Sequence, residues 1–332
     1  MRPHRALLAA PLVLGLVVSG PASAESTVVA ELQRPSTIRS HAGIQVFSAF
    51  EDGAYRLAIL RADRVELVPV SPSQAPFDAD IGPDRNGRPQ LVYSRCATEG
   101  RGCDLFVFPL AGGGTERPVR GANTAAADEF APTLWKGRIV FARKLRGGDR
   151  PVVYTRELGT PRSRPSTRLP GIPRRTRTRG VIELELYGRH LAQIVFFAGQ
   201  TEVRLVDVSD RRVRRLAHTG VGEGGQYFGG IGFAGGHLAW VSSWVGGGGA
   251  VTPGIYRHRL STGELARSGF PRIAGGPIVG LALFGAGGAY IIDAQPQSDG
   301  CGETLGDVPA PRPCQLIRSE TLPFRPVERL VT

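Results

Sequence analysis

Apolar and polar positions along this chain follow a recurring order. A strand-length apolar segment meets a glycine-containing tight turn. A second apolar segment, a variable loop, a third segment and a more polar fourth follow. The turn and second segment recur six times, at residues 42–47, 87–93, 136–141, 188–196, 235–240 and 287–292. Third segments follow at 55–60, 104–109, 151–155, 202–207, 254–259 and 315–319, and fourth segments at 65–70, 116–119, 166–169, 212–216, 263–266 and 327–331. Alternation in Ile255-Tyr256-Arg257-His258-Arg259-Leu260 marks a half-exposed strand. Past the leader, no stretch carries a sustained apolar stripe of helical period.

Gly43, Gly87, Gly137, Gly188, Gly236 and Gly288 anchor the repeats at spacings of 44, 50, 51, 48 and 52 residues. One four-stranded meander of this size cannot bury both faces. Six arranged radially bury face on face and leave only short edges. The period therefore predicts an all-β fold, a six-bladed β-propeller of four-stranded antiparallel blades spanning residues 25–332. A pair of β-sandwiches is the alternative, but it gives no reason for six repeats at one spacing. Ring closure is open: residues 327–331 complete blade six alone, or residues 27–32 add a strand beside it.

Two repeats carry an acidic residue, a proline, a turn and an apolar strand. They are Asp80-Ile81-Gly82-Pro83-Asp84-Arg85-Asn86-Gly87, and the run from Asp128-Glu129-Phe130-Ala131-Pro132 through Lys136-Gly137 to Phe141. In this the chain resembles the TolB-like six-bladed propellers and their WD40-like PD40 repeat. The other four copies keep only the turn and strand, and the likeness covers about residues 38–331 as architecture. It implies a propeller that binds something, and it transfers no catalytic residue. TolB carries an additional N-terminal domain, for which the residues ahead of the first repeat leave no room, so its role is not expected here.

Composition adds compartment. Glycine and proline, 45 and 26 of 332 residues, stand well above ordinary usage, and 41% hydrophobic residues suffice for a core. Residues 1–24 read as a cleaved secretory signal peptide: Arg2 and Arg5, an apolar run from Ala6 to Val18, then Ala22-Ser23-Ala24. That run, about 13 residues, is too short to span a bilayer. The expected product is secreted or extracytoplasmic, with no transmembrane segment after cleavage and no cysteine at the cleavage site for a lipid anchor. Four cysteines fit an oxidising compartment and allow three connectivities. Local pairing, Cys96 with Cys103 and Cys301 with Cys314, closes two turn-rich loops. Neither pair has metal or redox spacing.

The net charge is +12, almost all of it arginine: Lys136 and Lys144 are the two lysines. The segment from Gly159 to Gly180 concentrates Arg162, Arg164, Arg168, Arg174, Arg175, Arg177 and Arg179 with no acid. It reads as a solvated linker between blades three and four, or as a site for an anionic polymer. It has no aromatic residue to stack bases, so sequence-specific nucleic-acid binding is not expected. Long segments at 96–103, 244–254, 295–314 and 159–180 would all fall on the face of second-to-third loops and blade connections. That face is the expected binding face.

Catalytic signals are sparse. Gly220-x-Gly222-x-x-Gly225 and Gly230-x-Gly232-x-x-Gly235 match a dinucleotide fingerprint but precede no helix. The histidines show no ligand spacing, and no G-x-S-x-G occurs. Acids entering inner strands are Asp78, Asp80, Asp128, Glu129, Glu183 and Glu185. Asp80, Asp128 and Glu183 are the metal-ligand candidates for a propeller hydrolase or lyase. Otherwise no cofactor, metal or catalytic residue is expected. The reading is an exported, non-enzymatic propeller that acts as a protein- or ligand-binding scaffold in the envelope or outside the cell. The alternatives are the metal-dependent enzyme and a polyanion-binding surface protein.

Overall fold

The computed structural model describes residues 26–32, 37–98, 100–148, 150–170, 179–197, 200–219, 226–244, 254–269, 278–285, 287–293 and 314–327. The leader 1–24, Arg174, Arg175, Arg177, the fingerprint glycines 220–225 and Cys301 lie outside them. Strand β1 (Ser26–Leu32) opens no blade. Blade one is β2 (Ile38–His41), β3 (Ile44–Glu51), β4 (Ala54–Arg61) and β5 (Arg64–Leu67). Blade two is β6 (Asp78–Pro83), β7 (Pro89–Arg95), β8 (Asp104–Pro109) and β9 (Arg117–Pro118). Blade three is β10 (Ala127–Trp135), β11 (Arg138–Leu145), β12 (Val152–Glu157) and β13 (Thr167–Arg168). Blade four is β14 (Arg179–Tyr187), β15 (His190–Phe197), β16 (Gln200–Asp207) and β17 (Val213–His218). Blade five is β18 (Gln226–Ala234), β19 (His237–Trp244), β20 (Gly254–Arg259) and β21 (Leu265–Gly269). Blade six begins with β22 (Ile278–Phe284), β23 (Gly288–Asp293) and β24 (Cys314–Ser319).

The innermost strands touch in cyclic order, β2 to β6, β10, β14, β18, β22 and back to β2, so the chain is a closed six-bladed β-propeller. Second strands are sandwiched by neighbouring blades on both faces. This is why they read as continuous apolar runs, with Leu91, Val92 and Tyr93, or Ile139, Val140 and Phe141, fully buried. Six apolar clusters fill the six blade interfaces. Val92, Leu105 and Val107 of blade two meet Leu134, Ile139 and Phe141 of blade three. Ile194 and Val203 of blade four meet Ile231 and Trp240 of blade five. Fourth strands face water and are correspondingly polar. The turn between first and second strands is clearest in blade three, where Lys136 and Gly137 take φ of 48° and 76°. Those paired positive values belong to a type I′ hairpin, which glycine adopts without strain.

The ring closes through the N-terminal segment. β1 pairs antiparallel with β24 and becomes the outer strand of blade six, with Leu32 opposite Cys314. Of the alternative segment, residues 327–331, only Val327 is described, and its N–H meets the Leu265 carbonyl of blade five. The chain just before them, β25 (Arg325–Pro326), instead adds a fifth strand to blade five beside β21. A second difference concerns the segment 159–180. It is not one linker, because β13 divides it. Residues 158–166 form the turn between third and fourth strands, at the same end of the wheel as the short hairpins. Arg162 and Arg164 thus lie at the end opposite the expected loop face.

Candidate functional site

β6 carries Asp78 and Asp80, β14 carries Glu183 and Glu185, and strand alternation places each pair on one side of its strand. β2 contributes Arg39. Blades one and four stand on opposite sides of the wheel, yet Arg39 Nη2 lies 3.0 Å from Glu183 Oε2. Its Nε lies 2.8 Å from Glu185 Oε2, close enough to pair but not aligned as a hydrogen bond. All three side chains are more than nine-tenths buried. An ion pair therefore crosses the axis and plugs the channel.

The acids also join successive blades. Asp78 Oδ2 accepts the Ala131 N–H of blade three at 2.8 Å. Asp80 Oδ2 accepts the Thr133 hydroxyl at 2.8 Å and the Leu134 N–H at 2.7 Å. Thr133 in turn accepts the Leu186 N–H of blade four at 2.8 Å. Glu183 accepts the Gly230 N–H at 2.6 Å and the Ile231 N–H at 3.0 Å in blade five. Two of these amides sit in register breaks of the inner strands, between Phe130 and Thr133 and between Gly229 and Ile231. Ala131 and Gly230 both take positive φ there, 46° and 56°. Each bulge turns an unpaired amide toward the preceding blade, where a carboxylate meets it. Gly230 serves a second need: a Cβ there would come within 2.9 Å of the Leu281 backbone.

The metal candidates therefore separate. Asp80 and Glu183 share the axial cluster, but Asp128 does not. Asp128 Oδ1 accepts the Gly102 and Cys103 N–H groups at 2.7 and 3.3 Å and ties the β7–β8 loop to blade three. The Cys96–Cys103 disulfide closes that loop. Cys314 is also disulfide-bonded. Among the described residues, no three histidines, cysteines or acids are grouped to hold a metal ion. No described helix is long and apolar enough to cross a membrane.

Four carboxylates surround one guanidinium, and burial sets their protonation. Burial pushes Asp80 up to about 6 against the pull of Arg39 and its three hydrogen bonds. Burial, then the Asp80 charge, raises Glu185 well above the usual carboxylate range. Burial raises Asp78 as well. Arg39 is held above its ordinary value: burial opposes its charge, and Glu183 and Glu185 outweigh that. A carboxyl raised in the folded state stabilises most below its unfolded value and loses that contribution as pH rises through its folded one. For Asp80 the loss between pH 4 and 7 is about 3 kcal/mol. His258, pushed down to about 4 first by burial, acts oppositely over the same window, losing stability as pH falls. The wild type should therefore show a shallow pH profile. In Asp80→Asn, urea midpoints should rise from pH 4.5 to 7 more steeply than in the wild type.

Two of the cavities at the short-hairpin end bear on the site. One, of about 350 Å³, sits over the axis and is lined by the ends of the inner strands, with Glu185 among them. The other, of about 1170 Å³, lies between blades two and three. Arg85, Arg117, Arg120, Arg156 and Arg162 line it with one acid, Asp84. Asp84 is already used, since Oδ1 accepts the Asn86 and Arg88 N–H groups at 2.8 and 2.9 Å. Arg156 is 5% exposed and donates to the Thr160, Pro161 and Arg164 carbonyls. Among the described residues no carboxylate pairs with it, and burial lowers its pKa.

Of the arginine-rich segment, then, Arg162 joins this cleft. Arg164 lines a smaller groove between blades three and four. Arg168 sits exposed in β13, and Arg179 opens β14. Sequence reasoning gave no role to Arg39, Arg85, Arg117, Arg120 and Arg156, which lie in separate stretches of the chain and reach their sites only through blade packing. Of the long loops behind the expected binding face, residues 245–253 and most of 295–314 lie outside the described residues.

No family model matches the chain, and no curated protein matches it. Solved structures similar to it include TolB from Acinetobacter baumannii, at 15% identity over 88% of this chain and 65% of that one, with a TM-score of 0.49. A puromycin-hydrolyzing peptidase of Mycobacterium tuberculosis is similar at 14% identity, over 87% and 53%, with a TM-score of 0.49. AofleA from Arthrobotrys oligospora is similar at 11% identity, over 85% and 86%, with a TM-score of 0.48. The chain spans less than two thirds of the TolB and peptidase chains. Likeness at this level says nothing of activity or ligand.

Proposed function

We propose that this chain is an exported, non-enzymatic binding propeller of the cell envelope or extracellular space. The observation that carries the reading is the use made of the axial acids. Asp78, Asp80 and Glu183 hold backbone amides of the next blade, and Arg39 occupies the ground between Glu183 and Glu185. Carboxylates engaged this way fasten one blade to the next, which is a structural use rather than that of ligands to a catalytic cation. Export is supported by the leader-like residues 1–24 and by the Cys96–Cys103 disulfide, which suits an oxidising compartment. Metal analysis of the purified mature chain should find no stoichiometric divalent cation. A bound metal that is lost in Asp80→Asn with the fold retained would establish the hydrolase reading instead.

A second reading, an anion-binding surface, is favoured by the cleft between blades two and three. Five guanidiniums and one engaged acid line it, Arg85 lies 3.8 Å from Glu157, and among the described residues no carboxylate pairs with the buried Arg156. Its partner would be an anionic polymer or a phosphorylated or carboxylated surface. Retention on immobilised polyphosphate should fall steeply with salt and be lost by about 0.5 M. Arg85→Ser, Arg117→Ser and Arg120→Ser together should weaken it with the melting temperature unchanged. Retention indifferent to salt or to the triple variant would end this reading.

A further inference from the structure

We propose that the axial cavity at the short-hairpin end is a binding site for a small organic ammonium ion. The proposal gives the binding-module reading a ligand class, and it uses residues separate from the arginine cleft. The cavity is walled by His41, Trp135, Tyr187, Phe233 and Phe284, one ring each from blades one, three, four, five and six. Trp135 and Tyr187 lie 4.5 Å apart at 53°, Tyr187 and Phe233 are stacked at 5.6 Å, and His41 meets Trp135 edge-on at 5.8 Å. These rings stand where the inner strands end, so successive blades build a curved aromatic wall rather than a flat patch. His41, Trp135, Tyr187 and Phe284 are only half-buried, although Leu134, Leu186 and Leu283, beside the last three, are deeply buried.

The floor supplies the charge. Glu185 lines the cavity, is 6% exposed, and makes no hydrogen bond through Oε2 despite lying 2.8 Å from Arg39 Nε. Behind it stand Glu183, Asp80 and Asp78, against the single cation Arg39. Burial holds Glu185 above the ordinary carboxylate range, and a cation arriving from the cavity, its open side, would draw it back toward the ionised form. Ring faces attract cations through their quadrupole, and most strongly those cations that shed water easily. A strongly hydrated metal ion would find few oxygens here, and an anion would meet the carboxylates. A volume of about 350 Å³ suits a compact ligand. The chemistry that fits is an alkylated ammonium group, free or presented by a lipid headgroup.

Titrating the folded chain with choline, and with its neutral carbon isostere 3,3-dimethylbutan-1-ol, tests this directly. Calorimetry and tryptophan fluorescence give the affinities. Choline should bind about tenfold or more tightly than the isostere, because shape is shared and only charge differs. Trp135→Leu and Glu185→Gln should each weaken choline about tenfold, the second without weakening the isostere. Sedimentation with phosphatidylcholine vesicles then distinguishes a headgroup from a free ion, since the wild type alone would co-sediment if headgroups are reached. Equal affinity for choline and isostere, no binding of either, or unchanged binding in Trp135→Leu would overturn the proposal. If Glu185→Gln fails to fold, Tyr187→Leu serves as the second variant. Loss of choline binding alone leaves the binding-module reading standing, whereas a stoichiometric catalytic metal would remove that reading and leave this result intact.

Discussion

Arg39→Met lowers the unfolding free energy by about 3–5 kcal/mol at pH 7, the cost of removing one partner from a buried ion pair. Methionine keeps most of the volume, so the loss is electrostatic rather than a cavity. In the wild type, Arg39 faces Glu183 and Glu185 directly, with Asp80 and Asp78 close enough to be felt. Without it, those acids face one another across the axis in a site water barely reaches. They respond by taking up protons, so the loss should shrink as pH falls below about 6, where Asp80 is protonated. Guanidinium unfolding at pH 7 and pH 5 measures both numbers. A loss under about 1 kcal/mol at pH 7 would mean that the axial pair is solvated and does not hold the wheel.

The difference between what was and was not legible in the sequence follows from range. The blades were legible because each is local: a hairpin needs a Gly turn such as Lys136-Gly137 and an apolar second strand such as Ile139-Val140-Phe141, all within a few residues. Closure was half legible. Residues 27–32 were strand-like, but their pairing with β24 spans nearly the whole chain, and nothing local distinguishes it from residues 327–331 in that place. The acids Asp78, Asp80, Glu183 and Glu185 were visible as doublets at one repeat position. Their purpose was not, because the amides they meet belong to the next blade and are exposed by bulges at Ala131 and Gly230 that no motif announces. Arg39 sits in the short, mostly polar strand Ile38-Arg39-Ser40-His41, where nothing marks it out, and only the opposition of blades one and four gives it a partner. The arginine segment misled for the complementary reason. Its charges are contiguous in sequence, but β13 divides them, and the cation-rich cleft draws its guanidiniums from four separate stretches.

Glu183→Ala should be comparably severe, costing about 3–5 kcal/mol, and for a different mixture of reasons. It strands the Gly230 and Ile231 amides, each a buried donor whose loss of partner costs about 1–3 kcal/mol. It also removes one of the two direct partners of Arg39. Glu183→Gln should fall between the wild type and Ala, because its carbonyl oxygen can still accept an amide while the ion pair is lost. The double variant Arg39→Met, Glu183→Ala should then cost less than the two singles together, by about 1–3 kcal/mol, since neither charge is left facing an empty place. Additivity within about 0.5 kcal/mol would show that the pair does not act as a unit. A metal site makes the opposite set of predictions: chelator would reproduce Glu183→Ala in the wild type, and Arg39→Met would tighten the cation by removing a competing charge. Denaturant midpoints for the four proteins, with and without chelator, therefore distinguish a fastened hub from a catalytic one.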